Sequence, residues 1–510
     1  MTEEIELKLF ATAVQLKKLR TAPWLGRFAC GPVRLQRLIS TYYDTNDLTL
    51  RRHRAALRIR NIGDHFVQTF KAEDRAGRSG LGRLEWECVL KKPKLDLKHA
   101  HMSETGGFRL KKLSGFLKPV FETRVRRYAM PLRYHGSELE LAIDEGEINA
   151  RRRRLPIHEI EIELKRGKAN HVIAVGSKIA KKLKASYGST TKAERGYVLR
   201  ENEAGRPCRA QDIFLAQHAK TGEAFRVIAM SCLRHFTANR DAILGGEQEG
   251  VHQMRVGLRR LRAVVSIFKK MLRGPETTAI KIQLKWLTEE LGPARDMKVL
   301  ADEAISPMLD KSPVPKAVEV LRTDIMRQRD AGMRRAQRAI QSERYRKLVL
   351  ETVFWINCGR WTRTKAAGRT LPIRRFVTQE LNRRTKTILR KLGRVEKLSP
   401  LQRHKLRIAI KKLRYAIDYF RSLFHAKKRY HKFAVTLENL QASLGKLNDI
   451  RVHGELAKAY AMPKRSRRGA VSEAFAMGEL TGEESLLSRG LIQTTKLLGR
   501  RLEDCQPFRE

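Results

Sequence analysis

Residues 1–200 follow a period of two. EIELKL at 4–9, AALRIR at 55–60, HFVQTFKA at 65–72, RLEWECVL at 83–90, SELELAIDEG at 137–146 and HEIEIELKR at 158–166 alternate apolar with charged side chains. That period predicts strands with one face in a core and the other charged. The charged face is dense: Glu4, Glu6 and Lys8; Arg58 and Arg60; Arg83, Glu85 and Glu87; Glu159, Glu161 and Glu163. A solvated antiparallel sheet produces such a face, and so does a closed barrel with a polar, hydrated interior. From about residue 210 the apolar spacing becomes helical, and ENEAGRPCRAQD at 201–212 marks the change. The expected architecture is an α+β chain of several domains. A strand domain spans 1–200, a linker 201–215, and two all-α repeats 216–350 and 351–510.

The helical half contains a duplication. HQMRVGLRRLR at 252–262 matches HKLRIAIKKLR at 404–414, and LGPARD at 291–296 matches LGKLND at 444–449. The distance from the histidine to the final aspartate is 44 residues in one copy and 45 in the other. Two matches at offsets that differ by a single residue, 152 and 153, argue for an internal repeat. At 100° per residue, His252, Arg255, Arg259 and Arg262 fall within about 80° of one another, beside an apolar stripe of Met254, Leu258, Leu261, Val265 and Phe268. The second copy repeats both stripes, with His404, Arg407, Lys411 and Arg414 beside Leu406, Ile410, Leu413, Ile417 and Phe420. Folding requires only the apolar stripe. A preserved basic stripe suggests that both copies bind the same kind of anion.

Charge sharpens this. The 510 residues carry 106 Lys+Arg against 54 Asp+Glu, a formal net charge of +52 and a pI near 10.6, which predicts a polyanionic partner. Residues 1–200 contribute +20 and the remainder +32, so both halves need a reason to attract anions. Aromatic residues make up only 7% and do not alternate with the basic stripes. This counts against a dedicated nucleic-acid binder, although incidental RNA binding remains compatible with the charge. The six cysteines lie far apart without metal-like spacing, and no apolar run approaches the ~18 residues of a membrane span. A reducing cytoplasm is the expected compartment.

If the alternating carboxylates line a barrel interior, their repulsion calls for a cation. An oxygen-only donor set suits Mg²⁺ or Mn²⁺. The inward bases Arg58, Arg60, Lys71, Arg124, Arg127 and Lys192 can then hold phosphate oxygens. A lumen with acidic and basic sectors suits a metal–polyphosphate substrate. No G-x-x-x-x-G-K-[ST] sequence is present, which excludes a P-loop mechanism.

The ordered set EIELK at 4–8, YYDT at 42–45, LRIR at 57–60, TFK at 69–71, RLEWE at 83–87, TRVRR at 123–127, IDEG at 143–146, EIEIELK at 159–165 and TKAERGY at 191–197 resembles the CYTH family of triphosphate tunnel metalloenzymes, bacterial inorganic triphosphatases among them. The resemblance covers essentially all of 1–200. It implies an antiparallel eight-stranded tunnel barrel, a Mg²⁺ or Mn²⁺ requirement and chemistry on triphosphates. It assigns Glu4, Glu6, Asp144, Glu161 and Glu163 to the metal side. Triphosphate contacts fall to Lys8, Arg58, Arg60, Lys71, Arg83, Arg127 and Lys192, and catalysis to Glu4, Glu6 and Lys8. Strand parity groups Arg124 with Arg126, whereas the family pattern points to Arg127, so Arg124 and Arg127 both stay as candidates. Thr191 stands where the family usually has Ser.

The segments beginning at His252 and His404 resemble the conserved-histidine α-helical (CHAD) domain, which implies two pseudo-symmetric bundles around a basic cavity for inorganic polyphosphate. Arginines rather than carboxylates surround both histidines in the sequence, so anion contact is favoured over metal ligation.

The leading expectation is a metal-dependent triphosphatase acting on tripolyphosphate and tethered to polyphosphate by its helical half, which would associate it with polyphosphate granules. An adenylate cyclase or a thiamine triphosphatase using the same lumen is the alternative within the enzymes. A non-enzymatic polyanion binder is the alternative outside them.

Overall fold

The computed structural model describes residues 2–63, 65–73, 82–97, 110–306, 309, 315–363, 368–424, 427–461 and 470–505. The first half is an antiparallel sheet of β1 (Thr2–Phe10), β2 (Arg34–Asp44), β3 (Ala55–Ile62), β4 (His65–Glu73), β5 (Gly82–Leu90), β6 (Lys118–Tyr134), β7 (Ser137–Ala150), β8 (Arg153–Arg166) and the two-residue β9 (Ser186–Tyr187). Its order is β5-β4-β3-β2-β6-β7-β8-β1-β9. Strand β1 uses both edges. Glu6–Phe10 pair with β8 on one side, while Thr2–Ile5 pair with β5 on the other, and Leu9–Phe10 pair with β9. The β1–β5 pairing brings the two ends of the sheet together, so the strands wrap around a lumen. The ninth strand goes beyond the expected eight and only extends the edge of β1.

Strands β2 and β6, like the two-residue β9, were not read from the alternation. Strand β6 contains Pro119 and Pro131, residues that ordinarily argue against a strand interior. Strand β2 has the irregular pattern RLQRLISTYYD.

The sheet's apolar face points outward. Leu7, Leu9, Leu139, Leu141, Ile143, Ile160 and Ile162 are buried against Val172, Val175 and Ile179 of the helix Ala169–Leu183 and against Leu16 and Leu19 of the helix Ala13–Arg20. Side chains of the opposite parity therefore face the lumen. A second apolar cluster, with Leu38, Tyr42, Phe121, Val125, Tyr197 and Leu199, seats the helix Lys192–Glu201 against the sheet. That helix starts in a capping box between Thr191 and Glu194. Tyr197 donates its hydroxyl hydrogen to the buried Asp44 at 2.9 Å. Gly196 lies so close to the Phe121 ring that a β-carbon there collides with it.

The second half is helical. Its main elements are Thr221–Ala238, Gln248–Ile267, Pro275–Glu290, Pro315–Gln341, Glu343–Cys358, Ile373–Leu392, Pro400–Phe420, Lys427–Ala461 and Ala470–Asp504. One continuous buried cluster runs from Leu7 and Ile162 of the sheet through Phe225, Leu258 and Phe268 to Leu413 and Phe420. Between the halves, a cavity of about 680 Å³ is lined by Ala180 and Ala185 on one side and by Ile280, Leu350 and Trp355 on the other. All six cysteines are free thiols. Among the described residues no helix is long and apolar enough to cross a membrane.

Gly196→Ala is expected to lower stability by about 1–3 kcal/mol, because the added methyl must displace a packed ring. Chemical unfolding followed by tryptophan fluorescence measures it; an unchanged midpoint contradicts this packing.

Candidate functional site

The lumen is a cavity of about 270 Å³. Nine of the residues expected at the site line it: Glu6 and Lys8 from β1, Arg58 and Arg60 from β3, Lys71 from β4, Arg127 from β6, Glu161 and Glu163 from β8, and Lys192 from the helix behind Thr191. They come from five strands and a helix, which strand wrapping alone brings together. The side chains of Glu4 and Arg83 lie outside the described residues, while their backbones pair in register across β1 and β5.

The floor of the lumen is a buried ion network. Lys192 Nζ lies 2.8 Å from Asp144, 2.7 Å from Glu159 and 2.8 Å from Glu161. Arg127 forks onto Asp144 at 2.7 and 2.8 Å and reaches Glu161 at 2.6 Å. Lys8 sits 3.0 Å from Glu161, and Arg195 closes the far side of Glu159. Asp144 and Glu159 are fully buried. Burial alone drives carboxylates up and ammonium groups down, and here the partners outweigh it. Lys192, Lys8 and Arg127 hold Glu161 well below the usual carboxylate range, and Lys192 and Arg127 lower Asp144. Against the same burial, Asp144, Glu159 and Glu161 raise Lys192 well above the usual ammonium range, and Glu161 leads the groups that raise Lys8.

Two expected placements are corrected. Asp144, expected on the metal side, lies beneath the lumen wall and is bound by two cations. Arg124 points outward, is exposed and pairs with Glu122 at 2.7 Å. On β6 the inward parity belongs to Phe121, Thr123, Val125 and Arg127, so Arg124 and Arg126 both face away.

A basic wall faces this network. Burial and the neighbouring Arg58 and Arg127 push Arg60 down to about 9. Burial raises the Tyr42 phenol, but Arg58 and Arg60 outweigh it and leave the phenol below its usual value. The acidic sector lies along one cross-strand row. Glu6 on β1 is opposite Glu163 on β8, which is opposite Glu140 on β7. Lys165 lies 2.7 Å from Glu163 and 3.8 Å from Glu140, and Glu85 pairs with Lys71 at 3.1 Å. Glu6, Glu140 and Glu163 offer only carboxylate oxygens, the donor set of a hard divalent cation. Among the described residues no three His, Cys, Asp or Glu side chains already converge as a metal cage.

Sequence reasoning did not nominate Glu140, Glu85, Glu87, Lys165, Arg195 or Tyr42. Glu140 shares the parity of Asp144, and Glu85 and Glu87 alternate in RLEWE, so a signal existed for these. Tyr42 and Arg195 lie within the quoted motifs YYDT and TKAERGY, but no alternation singled them out from their neighbours.

The helical half brings its two basic stripes together. His252, Arg255, Arg259, His404, Arg407, Lys411 and Arg414 are all partly buried, whereas Arg262 is exposed near Lys412. Arg259 Nε donates to Tyr415 Oη at 2.6 Å, across from one repeat to the other. The second matching segments meet the first in both copies: Asp296 lies 3.3 Å from Arg255, and Asn448 bonds His404 Nδ1. Arg414 pairs with Glu438 at 3.2 Å. Arg255 Nη1, Arg407 Nε and Arg414 Nε are buried nitrogens without hydrogen-bond partners, so guanidinium donors go unused in this cradle.

The family model of the CYTH domain matches residues 2–197, and that of the CHAD domain matches residues 227–458. An inorganic triphosphatase of Haemophilus influenzae is 29% identical over 200 residues, 39% of this chain and 55% of that protein. The match thus spans about half of that curated relative. The crystal structure of the CHAD domain from the plant Ricinus communis is similar at 28% identity and a TM-score of 0.51, covering 58% of this chain and 96% of that one. A Hippeastrum protein assigned as an adenylyl cyclase, with a dominant triphosphatase activity, is 19% identical with a TM-score of 0.27, covering 39% of this chain and 96% of that chain.

Lys192→Met leaves the buried carboxylates short of a cation and is expected to destabilise the first half by about 3–5 kcal/mol at pH 7. Groups with depressed pKa values stabilise above the ordinary carboxylate range and lose that contribution as pH falls through their folded values. The deficit should therefore shrink at pH 4 and below in urea unfolding. An equal deficit at both pH values contradicts the network.

Proposed function

We propose that the chain, which joins a CYTH domain to a CHAD domain, is a metal-dependent inorganic triphosphatase that cleaves tripolyphosphate to pyrophosphate and phosphate, and that its helical half binds inorganic polyphosphate. The observation that carries the reading is the division of the lumen: a carboxylate row of Glu6, Glu163 and Glu140 lies across from a basic wall of Arg58, Arg60 and Arg127. The cavity, at about 270 Å³, lies below the ~300–1,000 Å³ typical of sites for drug-sized ligands. Among the described lining residues Tyr42 is the single aromatic. Both features favour a phosphate chain without a nucleoside or thiamine attached.

In this mechanism Arg58, Arg60, Lys71 and Arg127 bind the non-bridging phosphate oxygens, arginine by paired N–H donors. Arg60 gains most, because an arriving anion offsets the repulsion from Arg58 and Arg127. Lys8 and Lys192 stay protonated, held by Glu159, Glu161 and Asp144, and present fixed positive charge to the developing charge of the leaving phosphate. Glu6 and Glu163, with Glu4 and Glu140, would hold Mg²⁺ or Mn²⁺, which neutralises phosphate oxygens and acidifies a bound water. Asp144 acts as a positioning residue by aiming Arg127 and Lys192, and Glu161, expected on the metal side from the sequence, is here assigned the same role because Lys8, Arg127 and Lys192 all pair with it. Sequestering the chain between wall and floor excludes bulk water and fixes the phosphorus for in-line attack.

In the helical half, Arg255, Arg407 and Arg414 are proposed to contact polyphosphate through their unused donors, together with Arg259 and the two histidines. Tethering one end of a chain there raises the concentration of phosphate near the tunnel.

The double variant Glu6→Gln, Glu163→Gln is expected to lose at least 100-fold in phosphate release from tripolyphosphate with Mg²⁺ or Mn²⁺, while long-chain polyphosphate binding stays within twofold. ATP assayed in parallel tests the cyclase alternative. Undiminished hydrolysis in the variant, or cyclic AMP as the dominant wild-type product, overturns the reading.

A further inference from the structure

The basic stripes of the two repeats meet at the axis that relates them. Matching His252 to His404 makes Arg255 the counterpart of Arg407 and Arg259 the counterpart of Lys411. Arg259 acts electrostatically on both Arg407 and Lys411, and it bonds Tyr415, one turn beyond Lys411. A residue and its own counterpart are thus neighbours, which places the pseudo-axis between Arg259 and Lys411. The symmetry is broken there, because an arginine faces a lysine. Tyr415 has Ala263 as its counterpart.

Cations dominate the surroundings of Lys411. Arg259 faces it from the helix Gln248–Ile267, Arg407 and Arg414 flank it on its own helix, and Asp449 is the carboxylate acting on it from the helix Lys427–Ala461. Arg384 of the helix Ile373–Leu392 faces Lys412 instead. Burial, then Arg259 and Arg407, push the Lys411 ammonium down to about 7. A long, strongly hydrated cation has here been placed where its charge is disfavoured until an anion arrives.

We propose that the helical half takes up a proton when an anionic phosphate chain binds across the pseudo-axis, and that Lys411 receives it. This rests on the polyphosphate reading of that half. The proton comes from solvent and adds to the lone pair of Lys411 Nζ; phosphate oxygens then offset the repulsion from Arg259 and Arg407 and hold the ammonium. Proton and anion therefore favour each other's binding. Affinity is highest below pH 7, where the ammonium already exists, and falls as pH rises, by up to about tenfold per unit while a whole proton is taken up. His252 is also held low, by burial and then by Arg295, so its protonation adds to the response on the acid side of this window. Lys412 is lowered by burial, Arg384, Arg262 and Lys281 and serves as the neighbouring control.

The test is isothermal titration calorimetry of the full chain with long-chain inorganic polyphosphate, whose internal phosphates do not titrate near neutrality. Divalent cations are chelated, and two buffers of different ionisation enthalpy are used at pH 8. The wild type should take up about one proton per occupied cradle. Lys411→Arg, which carries a permanent charge, should lose that uptake and flatten the fall in affinity between pH 7 and 9 relative to its own affinity at pH 6.5, while Lys412→Arg should behave as the wild type. Unchanged uptake in Lys411→Arg, or its loss only in Lys412→Arg, overturns the role of Lys411. Failure of the wild type to bind at pH 6.5 overturns the polyphosphate reading itself.

Discussion

Asp144 and Glu159 are fully buried in the wall of the sheet, and a lone carboxylate in that position would cost several kcal/mol. Lys192, Arg127, Lys8 and Arg195 meet that cost, and they come from three separate segments of the chain: β1, β6 and the helix Lys192–Glu201. The wrapped sheet brings β1, β6 and β8 to one floor, and the helix Lys192–Glu201 must dock to complete the charge balance. Its capping box, the Tyr197–Asp44 bond and the missing side chain at Gly196 all serve that docking. Across the lumen, Arg58 and Arg127 repel the buried Arg60, and in the proposed reading an incoming anion offsets that repulsion.

Placing charge inside requires the apolar side chains to point out. They are covered by helices, chiefly Ala169–Leu183, and the covering cluster continues into the helical half. The outer face of β1 and β8 is therefore core, while their inner face carries Glu6, Lys8, Glu161 and Glu163. The two halves thus share buried packing against the same strands that carry the site.

Much of this was legible because a period of two is hard to mistake. The alternation in EIELKL and HEIEIELKR identified Glu6, Lys8, Glu161 and Glu163 as companions on one face, and the duplicated His-to-Arg stripes identified the cradle. What parity cannot supply is depth along the tunnel, which cross-strand register fixes. Asp144 has the right parity but lies beneath Arg127 and Lys192. Glu140, two residues earlier, reaches the acidic row opposite Glu163. In TRVRR, three arginines within four positions left the inward one open until the pairing of β6 with β2 and β7 selected Arg127. The excess of positive charge likewise has a more definite meaning than a pI conveys: one part faces buried acids, one part faces the lumen, and one part gathers where the helical repeats meet.

The central claim is that the lumen cleaves a phosphate chain with the help of a divalent cation. Phosphorus-31 NMR of tripolyphosphate incubated with the full chain tests it most directly. Pyrophosphate and orthophosphate should appear in equal amounts with Mg²⁺ or Mn²⁺, and neither product once the cation is chelated. Intact tripolyphosphate in the presence of either metal, or cleavage that continues undiminished in the chelator, contradicts it.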